Sequence, residues 1–581
     1  MEHMPAITQS SDGHRPVRDI ADAYVDELAV LNPILATTLG RPQGQDLLPD
    51  LSPAGEEAQQ ELGARTLARL AAAEATGVVG DRGTGDRETG DGDERRCARL
   101  LRERLETEQA IAATGEHLRS VSNIFGPPQR VRSAFLLMPT DTQEDWATIG
   151  RRIAAVPQAL VEYRESLTEG AGRGLYAAPR QVETVAGQLA DWHTAGDGSG
   201  WFAGFAAGAE VPAPLRADLD RASASADAAV GGLRDWLLTE YLPATAGTPD
   251  GVGAQRYAAN ARRWLGASPD LAEAYEWGWA QYREIMAQMQ AAADGVLPGA
   301  SPREAMLHLD SHSQTVLGVD EIRGWLQDLM DEAMADLDGT HFDLAGPLKV
   351  VEARIAPPGS AAAPYYTGPS QDFSRPGRTW LPTMGMTSFP VWGLVSTWYH
   401  EGVPGHHLQL AQWAYLSQQL SVYQTAVGGV SACSEGWALY AERLMDELGY
   451  LERPGARMGY LDNQLMRAIR VIIDIGMHLG LTVAADSPMF AGQAWTPELA
   501  LEFFDAHSGR GRPFLASEVV RYLGLPGQAI SYKLGERAWL GGRDAAGSAR
   551  GSSFDLKSWH MAALSLGALG LDDLEAELAL L

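Results

Sequence analysis

The residues of this chain whose types and spacing most clearly suggest chemistry lie between His400 and Gln409, in the run His-Glu-Gly-Val-Pro-Gly-His-His-Leu-Gln. Many zinc hydrolases carry two histidines four residues apart on one helical face, with a glutamate after the first that serves as general base. His400 and Glu401 match the start of that pattern, but the residue four positions after His400 is Pro404. A second histidine ligand must therefore come from His406 or His407.

The proline changes the backbone on which the second ligand would stand. On an unbroken helix, which rises about 1.5 Å per residue, His407 would lie about 10 Å along the axis from His400. That separation is too long for one zinc ion, whose bonds to nitrogen are about 2.0–2.1 Å. Pro404 lacks the N–H that would bond the carbonyl of His400, and Gly405 tolerates unusual backbone angles. We expect a kink or bulge that brings His406 to the second ligand position, while the choice between His406 and His407 stays open.

A carboxylate is a common third zinc ligand beside two histidines, and a segment starting about 35 residues after His400 offers one. This segment, which begins at Ser434, keeps helical spacing through Leu448. We predict Glu435 as the third ligand. Glu442 lies two turns further along the same face and is expected to accept a hydrogen bond from a ligand histidine. Glu401 would take a proton from the attacking water and pass it to the leaving amine.

Helices must position these residues, because apolar residues recur every three or four positions along most of the chain. The clearest helical segments are predicted at 19–39, 140–175, 213–242, 268–293 and 319–337. An alternating, β-branched run at 348–356 predicts a strand. The predicted fold class is mainly α with a small β element.

The length of 581 residues exceeds what one hydrophobic core usually covers, so more than one lobe is expected. We predict a disordered amino-terminal tail at 1–18, a helical lobe at 19–345 and a catalytic helical lobe with the metal site at 346–581. The Gly- and Asp-rich segment 77–93 has too few apolar residues to offset its ordering entropy, so it is predicted as a flexible loop.

The acidic composition limits the kinds of partner. With 75 acidic and 46 basic residues the net charge is −29, which disfavours nucleic acid and anionic membrane surfaces. No uninterrupted apolar run reaches the length of about 18 residues that a membrane helix requires. Residues 1–18 do not read as a secretory signal, and Cys97 and Cys433 are too few for a disulfide framework. A cytoplasmic protein is expected, and its oligomeric state is left open.

Four blocks of the sequence are far more specific in their order and spacing than any one of them alone. They read His400-Glu401-x-x-Pro404-Gly405-His406-His407-x-Gln409, Glu435-Gly436-Trp437-Ala438-x-Tyr440-Ala441-Glu442, Arg470-x-x-x-Asp474-x-Gly476-x-His478 and Arg521-Tyr522-x-x-x-Pro526-Gly527-Gln528-Ala529-x-Ser531-Tyr532-Lys533-x-Gly535. From about residue 21 onward the chain resembles the bacterial family called domain of unknown function 885 (DUF885). That family is similar to the helical gluzincin zinc metallopeptidases, so the resemblance implies a two-lobed helical fold with a deep central channel.

The resemblance also implies roles outside the metal site. Tyr532 or His478 would donate a hydrogen bond to the developing oxyanion. Three basic side chains are candidates for holding a substrate carboxylate: Arg521, Arg470 and Lys533. His407 would contact substrate if it is not the ligand. Structural interpretations compete with these, since Asp474 could pair with the arginine four residues before it and His478 has apolar neighbours.

Three functions fit these residues. The leading hypothesis is a zinc-dependent, peptidase-like hydrolase that cleaves short peptides or carboxyl-terminal residues. A second is a zinc-dependent hydrolase or lyase acting on a non-peptide small molecule in a biosynthetic pathway, which would keep the metal set but need a short, closed pocket. A third is a catalytically inactive binding scaffold, against which the presence of Glu401 beside every candidate ligand argues.

Overall fold

The computed structural model describes residues 16–75, 89–195, 198–357 and 363–581. Within them the protein is mainly α with a small β element, which confirms the predicted fold class. Helices α1 to α14 run in chain order over Pro16–Leu31, Pro33–Thr38, Pro53–Ala75, Thr89–Ala113, Pro127–Phe135, Gln143–Gly172, Pro179–His193, Trp201–Ala207, Ala213–Trp236, Leu242–Ala244, Ala254–Leu265, Leu271–Val296, Pro302–His312 and Val319–Leu337.

The second half of the chain carries most of the strands and the remaining helices. Strands β1 to β5 span Thr315–Leu317, Val351–Ile355, Tyr365–Thr367, Gly377–Leu381 and Ser388–Pro390. Helices α15 to α23 span Leu394–Glu401, His406–Tyr415, Ser431–Glu447, Pro454–Leu479, Pro497–His507, Arg512–Gly524, Ser531–Arg550, Leu556–Leu564 and Leu571–Leu580. Short 3₁₀ turns occur at Glu116–Arg119, Gly346–Lys349 and Gly551–Ser553, and π-helical turns at Leu237–Tyr241 and Tyr423–Val427.

Most predicted helical segments are present, and the differences have local causes. The segment predicted at 319–337 has those bounds in the structure, as α14. The segment predicted as one helix at 19–39 is instead two, α1 and α2. Asn32 caps α2 by accepting the amide N–H of Leu35, and Pro33 occupies the first helical position, where its missing N–H costs nothing.

The predicted tail and loop lie mostly outside the described residues, at 1–15 and 76–88. Their ends do not behave as predicted, because α1 already includes residues 16–18 and α4 includes residues 89–93. Asp93 stands in the first turns of α4 and pairs with Arg96 one turn on. Acidic residues are favourable at the start of a helix, so a composition that suggests a loop is compatible with a helix amino terminus.

Two small sheets lie beside the helices. In the larger sheet the strand order is β2-β4-β3, with β2 parallel and β3 antiparallel to β4. In the smaller, β1 pairs antiparallel with β5. The strand predicted at 348–356 is β2, and it is buried on alternate residues at Val351 and Ala353.

Two hydrophobic cores hold the described helices together. The smaller draws on residues between Val121 and Tyr241, whereas the larger combines residues 17–105 with residues 257–578. Helices on both sides of residue 345 contribute to the larger core, and the predicted division into lobes stays a prediction. None of the described helices is long and apolar enough to cross a membrane.

Helices α17 and α21 approach each other very closely at the centre of the larger core. A Cβ atom on Gly436 of α17 would stand 2.6 Å from the Cα of Gly535 in α21 and 2.8 Å from its carbonyl oxygen. Only glycine fits such a contact between two helix backbones. The contact fixes the separation of Glu435, beside Gly436, and Tyr532, one turn before Gly535.

Candidate metal centre

The expected irregularity after Glu401 is a complete break between two helices. Helix α15 ends at Glu401, and α16 begins at His406. Within the connection the N–H of Gly405 donates to the carbonyl of Tyr399 at 2.9 Å. A Cβ on Gly405 would lie 2.5 Å from that same oxygen and closer still to the carbonyl oxygen of His400, so the turn requires glycine.

This turn brings three predicted ligand residues together. The Nε2 atom of His400 lies 3.2 Å from Oε2 of Glu435, and the Nε2 atom of His406 lies 3.6 Å from the same oxygen. One possible ligand atom from each of the three residues falls within 4.8 Å of the others. Two ligands at about 2.0–2.1 Å from zinc in tetrahedral geometry stand about 3.3 Å apart, so the observed spacing fits a zinc ion.

The charges of His400 and of the carboxylates around it stabilise each other within the cluster. Burial alone would lower the pKa of His400, but hydrogen bonds to Glu435 and Glu442 and the charge of Glu401 raise it to about 9. Burial would likewise raise the pKa of Glu435, but hydrogen bonds from His400 and His406 hold it well below its usual range. A carboxylate kept ionised in a buried place is suited to a cation.

Glu442 orients His400 from behind, as predicted from its position two turns after Glu435. Its Oε1 atom lies 2.8 Å from Nδ1 of His400, which leaves Nε2 directed at Glu435. Glu442 is fully buried, and it is held by a hydrogen bond from Ser396 and by Arg467, whose Nη2 lies 3.2 Å from Oε1. Such a partner fixes the ring orientation and the tautomer of a metal-binding histidine.

The block Glu435-Gly436-Trp437 connects the third ligand to the turn that positions the second. The indole N–H of Trp437 donates to the carbonyl oxygens of Pro404 and Gly405, at 3.1 and 2.9 Å. Three consecutive residues thus supply the carboxylate, the contact with α21 and the hydrogen bond that holds the turn. This explains why the block accompanies the histidine block in the sequence.

Two residues predicted to be catalytic border the cluster. Glu401 follows His400 directly and is partly exposed, and no described residue contributes a hydrogen bond or ion pair to its carboxylate. The ring of Tyr532 lies nearly parallel to that of His400, with centroids 6.5 Å apart. Among the described residues its hydroxyl has no hydrogen-bond partner, and burial followed by the charge of Glu435 raises its pKa. Both side chains keep polar atoms free for a substrate.

His407 faces away from the cluster. Its Nε2 atom lies 2.7 Å from the carbonyl oxygen of Leu348, and its Nδ1 atom lies 2.9 Å from the hydroxyl of Tyr366. Burial lowers the pKa of His407 to about 4, so the ring is neutral, donating through Nε2 and accepting through Nδ1. Both nitrogens are engaged and the side chain is buried, so the structure places His406 in the cluster and puts His407 in contact with the sheet instead of a substrate.

The other residues predicted around the site are engaged with protein partners. Arg470 and Arg521 both bind Glu518, with nitrogen–oxygen distances of 2.7–2.9 Å. Lys533 is buried between Glu536 and Gln464. His478 accepts the N–H of Val252 at Nδ1 and contacts the carbonyl of Tyr522 through Nε2, so it has no nitrogen left for an oxyanion. His478 is therefore a buried core histidine whose ring nitrogens both contact other parts of the protein.

The ion pair with Arg470 that the sequence offered as one interpretation of Asp474 is not present. Asp474 instead accepts hydrogen bonds from the hydroxyl of Tyr257, at 2.8 Å, and from the N–H of Gly527, at 3.1 Å. Arg470 points to Glu518 and lies over the ring of Tyr532, with its guanidinium carbon 4.7 Å from the ring centroid.

Sequence reasoning missed two residues near the centre, Ser396 and Arg467, which hold Glu442. Arg467 had a detectable signal, because it lies three residues before Arg470 on the same helix and therefore on a shared face. Ser396 had no such signal, because the sequence around a serine in an apolar helix does not show which distant residue it will contact.

Comparisons with known proteins agree with this architecture. The family described as "Bacterial protein of unknown function (DUF885)" matches residues 33–578. The chain belongs to the DUF885 family. No curated protein matches the sequence. Two solved structures, each of a "putative lipoprotein", share the fold of this DUF885 protein.

The first of these structures is from Colwellia psychrerythraea, with a TM-score of 0.81 at 21% identity, and covers 97% of this chain and 98% of that one. The second is from Shewanella oneidensis, with a TM-score of 0.72 at 17% identity, and covers 96% of this chain and 99% of that one. At these identities the likeness concerns the fold.

Proposed function

We propose that this DUF885 protein is a zinc-dependent, peptidase-like hydrolase that cleaves short peptides or carboxyl-terminal residues. The observation that carries the proposal is the convergence of Nε2 of His400 and Nε2 of His406 on one carboxylate oxygen of Glu435, at 3.2 and 3.6 Å. Two histidines and a glutamate are the ligand set of several catalytic zinc sites, which keep a fourth position for water or substrate.

The residues beside the cluster have the chemistry that hydrolysis needs. When bound, zinc would lower the pKa of a coordinated water and polarise the carbonyl to be attacked. Glu401 would accept the proton of the attacking water and deliver it to the leaving amine, a role supported by its position beside His400 and its unpaired carboxylate. Tyr532 would donate its free hydroxyl proton in a hydrogen bond to the developing oxyanion.

The setting of the site favours a small substrate. Glu401, His406, Glu435 and Tyr532 are each only partly exposed, among helices that are otherwise buried. We propose that they line the channel of a gluzincin-like, two-lobed fold, which would admit peptides or small molecules and exclude folded proteins. The net charge of −29 disfavours nucleic acid as a partner, and two free, buried cysteines fit a reducing cytoplasm.

The experiment compares metal content and peptide cleavage in matched variants. Purified protein is analysed for metal, loaded with zinc and incubated with a mixed peptide library whose products are read by mass spectrometry. Wild type should hold one zinc per chain and cleave peptides. His406→Ala should lose zinc, whereas His312→Ala, at an exposed histidine, should retain it. Glu401→Gln should retain zinc and lose cleavage.

The possible failures have different meanings. A wild-type protein that takes up no zinc would overturn the proposal and favour a binding scaffold. Bound zinc without cleavage of any peptide would overturn the peptidase assignment and favour the hydrolase or lyase acting on a non-peptide small molecule.

A further inference from the structure

One face of helix α18 is polar although the helix is buried from Met458 to His478. Asn463, Arg467, Arg470 and Asp474 follow one another at spacings of three or four residues and therefore share a face. This face meets the metal centre, since Arg467 binds Glu442 and Arg470 lies over the ring of Tyr532. A buried polar face of this kind needs partners for each of its groups.

Several arginines lie close together along this face. Arg467, Arg470, Arg510 and Arg521 meet the carboxylates of Glu442, Glu518 and Asp462, and Asp474 lies on the same face of α18. Arg470 and Arg521 share Glu518, and Arg467 shares Glu442 with His400. The Nε and Nη1 atoms of Arg467 are buried and have no partner.

Arg510 is the member of this group that remains accessible. It stands between α19 and α20 in a connection fixed by a hydrogen bond from the N–H of Gly509 to Oδ1 of Asp462, at 2.9 Å. Its Nη2 donates to Oδ1 of Asn463 at 2.7 Å, while its Nε is 3.9 Å from Asp462, too far for a hydrogen bond. The side chain is 32% exposed, so its remaining N–H groups can reach a ligand.

A short chain of contacts connects Arg510 to the metal centre. Asn463, which accepts from Arg510, donates through Nδ2 to the hydroxyl of Thr397 at 3.1 Å. Thr397 lies one turn before Glu401 on α15. Burial lowers the pKa of Arg510, the charges of Asp462 and Glu442 oppose this, and the charges of Arg467 and Arg470 lower it further. Arg510 therefore lies among the charged groups that surround the metal centre.

We propose that Arg510 binds the terminal carboxylate of a peptide substrate through the N–H groups that its protein contacts leave free. This inference rests on the proposed function and names its substrate class, a peptide with a free carboxyl terminus. A guanidinium with a free edge can hold a carboxylate through two parallel hydrogen bonds. In this proposal Arg510 takes the carboxylate-binding role that the sequence suggested for Arg470, Arg521 and Lys533. Those three side chains are instead paired with Glu518 or Glu536.

The test measures binding, so it does not depend on turnover. The probes are a panel of N-acetyl dipeptides with a free terminal carboxylate, the same panel as carboxamides, and carboxamides with glutamate in the last position. Affinities are measured by calorimetry on the protein as purified and after zinc loading. Wild type should bind the free acids about tenfold or more tightly than either set of amides, because a charge-assisted pair is lost.

Matched variants locate the site. Arg510→Gln should lose that preference, and Arg510→Lys should keep part of it because a charge remains without the planar fork. Arg512→Gln is the control, since Arg512 pairs at the surface with Glu502 and Asp505, and it should behave like wild type. If Arg510→Gln does not fold, the inference is tested by Arg510→Lys and by the preference of the wild-type protein for acids over amides.

The inference is overturned if acids and amides bind alike, if no acid binds, if the glutamate amides bind as well as the free acids, or if both Arg510 variants keep the full wild-type preference. Zinc content and cleavage report on the proposed function separately. A protein that holds zinc and cleaves peptides but ignores the carboxylate refutes this inference alone. One that binds acids through Arg510 but takes up no zinc refutes the function alone.

Discussion

The contact between Gly436 and Gly535 yields a prediction in which two effects have opposite signs. Replacing a glycine in a helix interior with alanine normally stabilises a protein by about 1 kcal/mol, because alanine has the higher helix propensity. At Gly436 the added Cβ would lie 2.6 Å from the Cα of Gly535, about 1 Å inside ordinary carbon–carbon contact. The obstacle is backbone, so it cannot move as a side chain would.

We therefore expect Gly436→Ala to force α17 and α21 apart. Overpacking of a core costs about 1–3 kcal/mol, which offsets or exceeds the gain in propensity. The matched control is Gly187→Ala, because Gly187 lies in the middle of the exposed face of α7 and a Cβ there meets no atom within 4 Å. The propensity gain cancels between the two variants, so Gly436→Ala should be less stable than Gly187→Ala by about 1–3 kcal/mol.

The two variants are compared by urea unfolding, followed by tryptophan fluorescence, and by zinc affinity in competition with a chelator. Because Glu435 is next to Gly436, moving α17 should also weaken zinc binding in Gly436→Ala and leave it unchanged in Gly187→Ala. Equal stabilisation of both variants, with equal zinc affinity, would refute the argument from close packing.

Three further predictions concern the metal centre and the core. Glu442→Gln should weaken zinc binding about 10–100-fold in chelator competition, since it removes the charged partner of His400; an unchanged affinity would contradict this. Gly405→Ala should leave the protein with less than one zinc per chain by elemental analysis, because its Cβ would displace the turn before His406; full zinc content would count against it. Burial lowers the pKa of His560 from 6.5 to about 3, so between these values only the unfolded chain takes up a proton and stability falls with falling pH. His560→Gln should therefore reduce the pH slope of the unfolding free energy by about 1.4 kcal/mol per unit between about pH 6 and about pH 4.5, and equal slopes in urea titrations would show the reasoning to be mistaken.

The helical content was predictable because it follows from local patterns. The period of apolar residues identifies α14 with its observed bounds, and an alternating run identifies β2. The break at Asn32 was missed because the apolar pattern continues across it, while the start of α4 was missed because acidic residues suit both a loop and a helix amino terminus. Strands β1, β3 and β5 have three residues each, too few to show a period.

The candidate site was predictable as far as its residues are close in sequence or share a helix. The turn at Gly405 and the position of His406 follow from the properties of proline and glycine, and Glu442 follows from helical spacing after Glu435. Partners from other elements could not be inferred, because no local rule indicates which distant side chain they meet. Arg510 is the clearest example, since its role depends on α18 passing beside the connection between α19 and α20.

The interruption between α15 and α16 changes how a centre of this kind is recognised across genomes. A scan for the pattern His-Glu-x-x-His passes over this chain, because five residues separate its two converging histidines, His400 and His406. The number of residues between the two histidines is set by the length of the turn and by Trp437, which holds the turn through two hydrogen bonds. Insertion or deletion of one residue there would rotate the second imidazole away, so the gap length and the downstream Glu-Gly-Trp should be inherited together.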